Sequence, residues 1–460
     1  MKTAETIVRI GCGAGFADDR TDAAVPVVAA LSQLDGPRFL IFETLAERTL
    51  ALAQIKRRKN PDAGIGAVER FLRPILSDCL KSGIRIVSNF GAANPRAAAR
   101  AIHRLAEELG HPKVRIAIVE GDDVTSIFTP QELARREIAA TYLNGKAQII
   151  SANAYIGALE IAHGLDMGAD IVVAGRVSDP SLALGPLVHA HGWQMDDWDR
   201  LASGTLVGHL LECGSQVTGG YFADPGLKDV PDLAEVGYPI AEVRADGSFV
   251  ITKPEGTGGC VNAATVKEQM LYEIHDPSEY ITPDVVLDIT SVSIAMQGEN
   301  RVYIRDAKGK PRTDTLKATV CLDGGYLAEG EISYAGPNAA SRGRLAIDII
   351  KSRLAKRQPG LEVRGDLIGV ASTFNDNAGY FLEHNYIQSR DVRVRITAQS
   401  FDKTVLEQLL DEVRALYCAG PAGGAGIRVH LMPRLWSASC LLERNRVKPS
   451  VYLDETANHA

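Results

Sequence analysis

The sequence has no run of about 18 consecutive apolar residues, so no membrane-spanning helix is expected. The opening "MKTAETIVRIG" has no long apolar stretch ahead of a cleavage site, and no secretory leader is read there. Seven cysteines are present, odd in number, scattered and without a Cys-x-x-Cys pair. This argues against a disulfide framework and fits a reducing cytoplasm. Basic charge is also scarce. Lys and Arg number 50 against 57 Asp and Glu, a net charge of -7, which speaks against a nucleic-acid partner. The one dense basic run, "KRRKNP" at 56–61, ends a helical pattern and complements the helix C-terminus. H-E-x-x-H, G-x-S-x-G, a P-loop and a nucleophile–His–Asp signature are all missing.

What is present is alternation. "TIVRIGCG", "RFLIFET", "IRIVSNFG", "KVRIAIVEG" and "ADIVVAGR" read as strands that are apolar on both faces. Between them run helical patterns such as "DAAVPVVAALSQL", "LAERTLALAQIKRR", "PRAAARAIHRLAEELG" and "SLALGPLVHAHGW", with "AVERFLRPILSDCLKSG" as a helix kinked at Pro74. The pattern predicts an α/β fold with a mostly parallel, doubly wound sheet covered by helices over residues 1–282. Near 283 it changes to longer strands joined by hairpins, with two strong helices, "SRGRLAIDIIKSRLAK" and "KTVLEQLLDEVRALYCAG". Residues 283–460 are therefore expected to form a smaller α+β domain with antiparallel strands. The tail "YLDETANHA" is expected to fray.

Polar clusters follow the expected parallel strands, at the edge where open α/β sheets bind ligands. After the first strand come Gly11, Gly13 and Gly15, then Phe16 and "ADDR". This departs from a dinucleotide fingerprint, and the carboxylates of Asp18 and Asp19 would repel a pyrophosphate. The glycines make a sharp strand exit, or else Asp18, Asp19 and Arg20 touch a substrate directly. Later ends supply Glu43 and Glu47, Asn89 and Asn94, Glu120, Asp122 and Asp123, Asn153, then Arg176, Ser178 and Asp179. Asn94 and Asp179, each before Pro, have the form of helix N-caps. No capping rule calls for Arg176, whose fork suits a carboxylate or phosphate. The crowded "EGDDV" could be compensated by a divalent ion such as Mg²⁺ or by solvent.

Two further segments carry candidate chemistry. "HLLECGSQVTGGYF" puts His209, Glu212 and Cys213 on one helical face, as a zinc set, an acid/base pair or a helix-surface pair. "ITKPEGTGGCVNAATVKEQM" places Lys253, Thr257, Gly258 and Gly259 before a helix starting near Asn262, a form suited to cradling an anion. That loop is expected to face the same cleft as Arg176 and Asn153, unless its glycines only link two domains.

Taken together, "IGCGAGFADDR", "FETLAERTLALAQ", "SNFGAANP", "GRVSDPSLALGPLVHAHGW", "LLECGSQVTGGYFADPGLKDVPDLAEVGYPIAEV", "ITKPEGTGG" and "EGEISYAGP" resemble the acyclic terpene utilisation protein A family (AtuA N-terminal, formerly a domain of unknown function). The resemblance runs from about residue 5 to about residue 450. Members are similar to a protein encoded beside enzymes that degrade citronellol and geraniol through CoA thioesters and a biotin carboxylase, and others occur beside enzymes for branched or tricarboxylic acids. The resemblance implies a catabolic setting and carries over no catalytic residue. Many relatives have a small extra C-terminal domain, so a separate small partner is one expectation.

Three readings follow. The first is a cytoplasmic catabolic enzyme, expected as a homo-oligomer, acting on a carboxylic acid or an acyl-CoA thioester by lyase or hydratase chemistry. The CoA thioester is then substrate and not resident cofactor. Glu43, Asp122, His209 and Glu212 are its catalytic candidates. Asp18, Arg20, Asn89, Asn153, Arg176, Lys253, Thr257, Gly258 and Gly259 are its substrate-binding candidates, with the metal left open. The second is a non-catalytic or partner-dependent subunit. The third is a nicotinamide oxidoreductase, disfavoured by the opening loop.

Overall fold

The computed structural model describes residues 6–63, 67–129, 132, 148–385 and 387–454. Its strands in chain order begin with β1 (Val8–Ala14), β2 (Arg38–Phe42), β3 (Arg85–Ser88), β4 (Ile116–Glu120), β5 (Ile149–Ala154) and β6 (Ile171–Ala174). They continue with β7 (Ile240–Val243), β8 (Phe249–Thr252), β9 (Tyr280–Ile281), β10 (Val286–Asp288), β11 (Ser293–Gly298), β12 (Arg301–Arg305) and β13 (Lys308–Lys310). The last are β14 (Thr315–Ala335), β15 (Arg364–Ile368), β16 (Asp391–Ser400), β17 (Ala425–Glu443) and β18 (Ser450–Leu453).

The chain divides into two compact units, Met1–Cys321 with Ser437–Ala460, and Leu322–Trp436. The first contains a ten-stranded sheet in the order β11-β12-β8-β7-β1-β2-β3-β6-β4-β18. Its centre, β1-β2-β3-β6-β4, is parallel. The flanks are antiparallel: β7, β8, β12 and β11 on one side, β18 on the other. The architecture is therefore mixed α/β, and the expectation of a mostly parallel sheet holds only for the central five strands. Short connections explain the β7–β8 and β11–β12 pairs, which are joined by a few residues and must run antiparallel. The hairpin strands that begin near residue 283 lie in this first unit up to Cys321, and β12 pairs directly with β8.

Three local expectations change. The segment around Pro74 is two helices, Val68–Leu72 and Leu76–Ser82, because proline lacks the N–H that would continue the first. β5 leaves the sheet and pairs with β14, where the Tyr155 N–H donates to the Lys317 carbonyl. The tail is in part a strand: Tyr452 and Leu453 pair with Ile118 and Ala117, while 455–460 lie outside the described residues.

The second unit runs β14, helix Ala339–Arg357, β15, β16, helix Lys403–Ala419 and β17, with strand order β15-β16-β14-β17. This is the split βαβ arrangement. Ile347, Ile350, Leu354, Leu406, Leu409 and Val413 of the helices pack with Ile332, Val394 and Ile396 of the strands. Among the described residues no helix is long and apolar enough to cross a membrane.

Leu40 sits fully buried in β2, between β1 and β3. Truncating it to alanine should cost about 2–5 kcal/mol in urea unfolding, since a rigid sheet closes poorly over a cavity. A loss below about 1 kcal/mol would place Leu40 outside the stabilising core.

Candidate active site

The exits of β1, β2 and β6 meet the buried helix Trp198–Glu212 around a cavity of about 1010 Å³. Its lining includes Gly15 and Asp19 after β1, Glu43 and Glu47 after β2, and Arg176 and Asp179 after β6. The helix contributes His209, Glu212 and Cys213. Tyr155, Tyr238, Tyr272, Tyr280 and Lys317 also line it.

Arg176 is the buried hub, only 1% exposed. Its Nε donates to the Val177 carbonyl at 2.8 Å, and its terminal nitrogens reach the carbonyls of Leu45 and Val177 and the carboxylate of Asp179. The guanidinium also lies 4.5 Å from the centroid of the Tyr155 ring. Asp179 is thus an ion-pair partner, and the helix Ser181–His191 has no side-chain cap. Asn94, by contrast, caps the helix Pro95–Glu108 by accepting from the Ala97 N–H at 3.2 Å.

Glu43 sits opposite this cation. Its Oε1 accepts from the Leu45 N–H and from Asn89 Nδ2, both at 2.8 Å. Asn89 is held in turn by the Thr44 N–H, so it positions Glu43 and does not line the cavity. Burial pushes the Glu43 carboxyl above its usual range; Arg176 opposes the rise and Glu212 adds to it.

Glu212 Oε1 lies 3.0 Å from His209 Nδ1, one helical turn away. Both residues are buried, so the surface-pair alternative does not apply. Burial raises the Glu212 carboxyl despite its imidazole partner. Burial would lower His209, but the Glu212 hydrogen bond and charge outweigh it, and the imidazole ends above its ordinary value. The pair therefore holds a proton firmly. His209 Nε2 and Glu212 Oε2 are buried and have no protein partner among the described residues. Burial, and then Glu212, push the Cys213 thiol far up, which keeps it from acting as a thiolate. Among the described residues no three His, Cys, Asp or Glu side chains are grouped to hold a metal ion.

Several candidates are placed elsewhere. Asp18 is exposed, and Arg20 pairs with Asp22 at 3.0 Å; of "ADDR" only Asp19 reaches the cavity, held by the Gly15 N–H at 2.7 Å and by Tyr238. Asp122 and Asn153 are buried together at 2.8 Å, outside the lining. The other acids of "EGDDV" have cations of their own: Glu120 takes Arg96 and Asp123 takes Arg57. Glu120 and Asp123 are thus compensated by protein cations, while Asp122 keeps a neutral amide partner.

The 251–270 loop is not a cradle. The N–H groups of Gly258, Gly259 and Cys260 donate to the carbonyls of Glu235, Pro231 and Thr218 at 2.7, 2.7 and 2.8 Å. Lys253 Nζ donates to the Thr257 carbonyl at 2.6 Å, and the Thr257 hydroxyl donates to that of Pro254 at 2.7 Å. Asn262 caps the following helix itself. A Cβ on Gly258 would sit 1.8 Å from the Asp232 carbonyl oxygen. The glycines admit another backbone segment, 231–237, where an anion was expected. In the opening loop likewise, a Cβ on Gly13 would meet the Phe42 ring at 2.5 Å and one on Gly15 the Cys213–Gly214 backbone at 2.4 Å.

Sequence reasoning missed Tyr155, Tyr238, Tyr280 and Lys317. They sit in strands and turns distant along the chain, where a tyrosine reads as ordinary core. Burial pushes the Tyr155 phenol up to about 12, and its hydroxyl donates to Glu47 at 2.8 Å.

Two outcomes follow from this placement. Burial pushes the Asp122 carboxyl up from 3.8 to about 6. The folded chain then binds a proton more tightly than the unfolded one, so this group contributes stability below its unfolded value and loses it as pH rises toward 6. The loss is about 3 kcal/mol. Asp122→Asn should flatten the urea-derived stability curve across that window relative to wild type, and an unchanged slope would refute the assignment. Lys253→Ala should cost roughly 0.5–1.5 kcal/mol of stability and leave ligand affinity at the cavity unaltered. Calorimetry showing weakened binding in a folded variant would restore Lys253 to the site.

No curated protein matches the chain. Among solved structures, the de novo designed protein Ferredog-Diesel is similar over 23% of this chain and 85% of its own, at 17% identity and a TM-score of 0.16, too low to carry an argument. Residues 8–453 match the acyclic terpene utilisation family protein AtuA, and the chain belongs to that family.

Proposed function

We propose that the protein is a catabolic enzyme of acyclic terpene or branched-acid degradation that adds water to, or removes it from, a carboxylic acid or acyl-CoA thioester. One observation carries this reading. Two buried carboxyls with raised pKa, Glu43 and Glu212, border one cavity, and one of them is coupled to an imidazole. Buried carboxyls that hold a proton more readily than ordinary carboxylates suit general acid–base catalysis.

In the proposed dehydration, Glu43 takes the proton from the carbon beside the carbonyl. The carbon–carbon double bond forms as the Cβ–O bond breaks. The protonated His209–Glu212 pair delivers its proton to the departing hydroxyl, which leaves as water; hydration is the reverse. Arg176 acts through its field on the developing negative charge, since most of its donors are held by protein groups.

Incubation with a panel of 3-hydroxyacyl- and enoyl-CoAs and the matching free acids, followed by the ultraviolet absorbance of the conjugated double bond, tests the reading. Turnover of at least one is expected. Glu43→Gln and Glu212→Gln should each lower kcat by about 10²–10⁴-fold. Glu120→Gln, on the surface pair with Arg96, should leave it unchanged. A folded protein that turns over none of the panel would sink the proposal.

A further inference from the structure

The cavity wall is lopsided in charge. Asp19, Glu43, Glu47, Asp179, Glu212 and Glu273 line it, against two permanent cations, Arg176 and Lys317. Both cations are engaged. Arg176 is enclosed by the Leu45 and Val177 carbonyls, Asp179 and the Tyr155 ring. Lys317 Nζ lies 3.6 Å from Glu47 Oε1 and 4.8 Å from the same ring. No permanent lining cation among the described residues is thus left for an anion beside Glu43 and Glu212, and the charge of a protonated His209 is answered by Glu212 itself. A carboxylate at that point would meet two buried carboxyl groups, one of which already disfavours the other's ionisation. A cleft with walls of one sign repels ligands of the same sign, is indifferent to neutral ones and draws in ligands of opposite sign. The tyrosines supply apolar surface with polar tips, fitted to an uncharged acyl group.

We propose that the cavity takes its substrate as an uncharged acyl derivative, a thioester or ester carbonyl, and discriminates against the free carboxylate of the same acyl chain. The proposal rests on the lyase or hydratase reading only in putting the reacting carbonyl beside Glu43 and Glu212. The discrimination itself comes from the charge of the wall.

The test uses four non-reacting probes with one six-carbon chain: hexanoate, methyl hexanoate, S-hexanoyl-N-acetylcysteamine and hexylammonium. Binding to the full chain is measured by calorimetry near neutral pH and again at about pH 5. The ester and thioester should bind at least roughly tenfold more tightly than hexanoate near neutrality, and hexanoate should gain most on acidification. In Glu43→Gln the gap should narrow, since one like charge is removed. Hexylammonium should bind more tightly than hexanoate, as the same wall requires; hexanoate binding as tightly as the ester, or no probe binding at all, would each overturn the proposal. Ester preference without turnover of any hydroxyacyl or enoyl compound would remove the lyase reading alone. Turnover of free acids in preference to thioesters would remove this proposal alone.

Discussion

A guanidinium buried at the exit of β6 is the constraint on which the candidate site depends. Arg176 cannot be hydrated where it lies, so its charge must be answered by protein groups. The Leu45 and Val177 carbonyls, Asp179 and the Tyr155 ring answer it, and they come from three separate strand exits. The ion therefore ties the ends of β2, β5 and β6 together. It also sets the local field. Without a cation nearby, burial would hold Glu43 protonated more firmly; with it, the carboxyl is raised but tempered.

The second half of the site is built by a helix that is buried all round past its first turn. The helix Trp198–Glu212 is buried along Leu201–Glu212. A histidine and a glutamate three residues apart then satisfy one another across a turn, whereas on an exposed helix both would be hydrated. Gln269 reinforces the end of this helix by donating its side-chain N–H to the His209 carbonyl at 3.0 Å. The unanswered His209 Nε2 and Glu212 Oε2 are the groups left over once the helix and its neighbours have been satisfied.

Much of the sheet was legible in the sequence. β1, β2, β3, β4 and β6 are apolar on both faces because helices or loops cover them, and that leaves a continuous hydrophobic run. Glu43, Arg176, His209 and Glu212 were legible as well. Each is a polar residue at a place where a parallel sheet or a helical turn gives it neighbours. Less legible were the antiparallel flanks, whose short strands carry no mark of which edge they join. The glycine loops misled in a specific way. Three glycines before a helix look alike in sequence whether the backbone they admit is a ligand's phosphate or, as with Gly258 against Asp232, another stretch of the same chain.

The sequence by itself determined which residues could be buried and which strand exits would carry charge, because alternation and helical periodicity are local properties of side-chain chemistry. Tertiary structure alone decided which of those charges meet. Asp122 and Asp19 both follow parallel strands, yet one is sealed against Asn153 and the other faces the cavity. Tyr155, Tyr280 and Lys317 join Glu43 and Arg176 from far along the chain. Burial and the distances between charges then set each group's proton affinity, and neither is written in residue spacing.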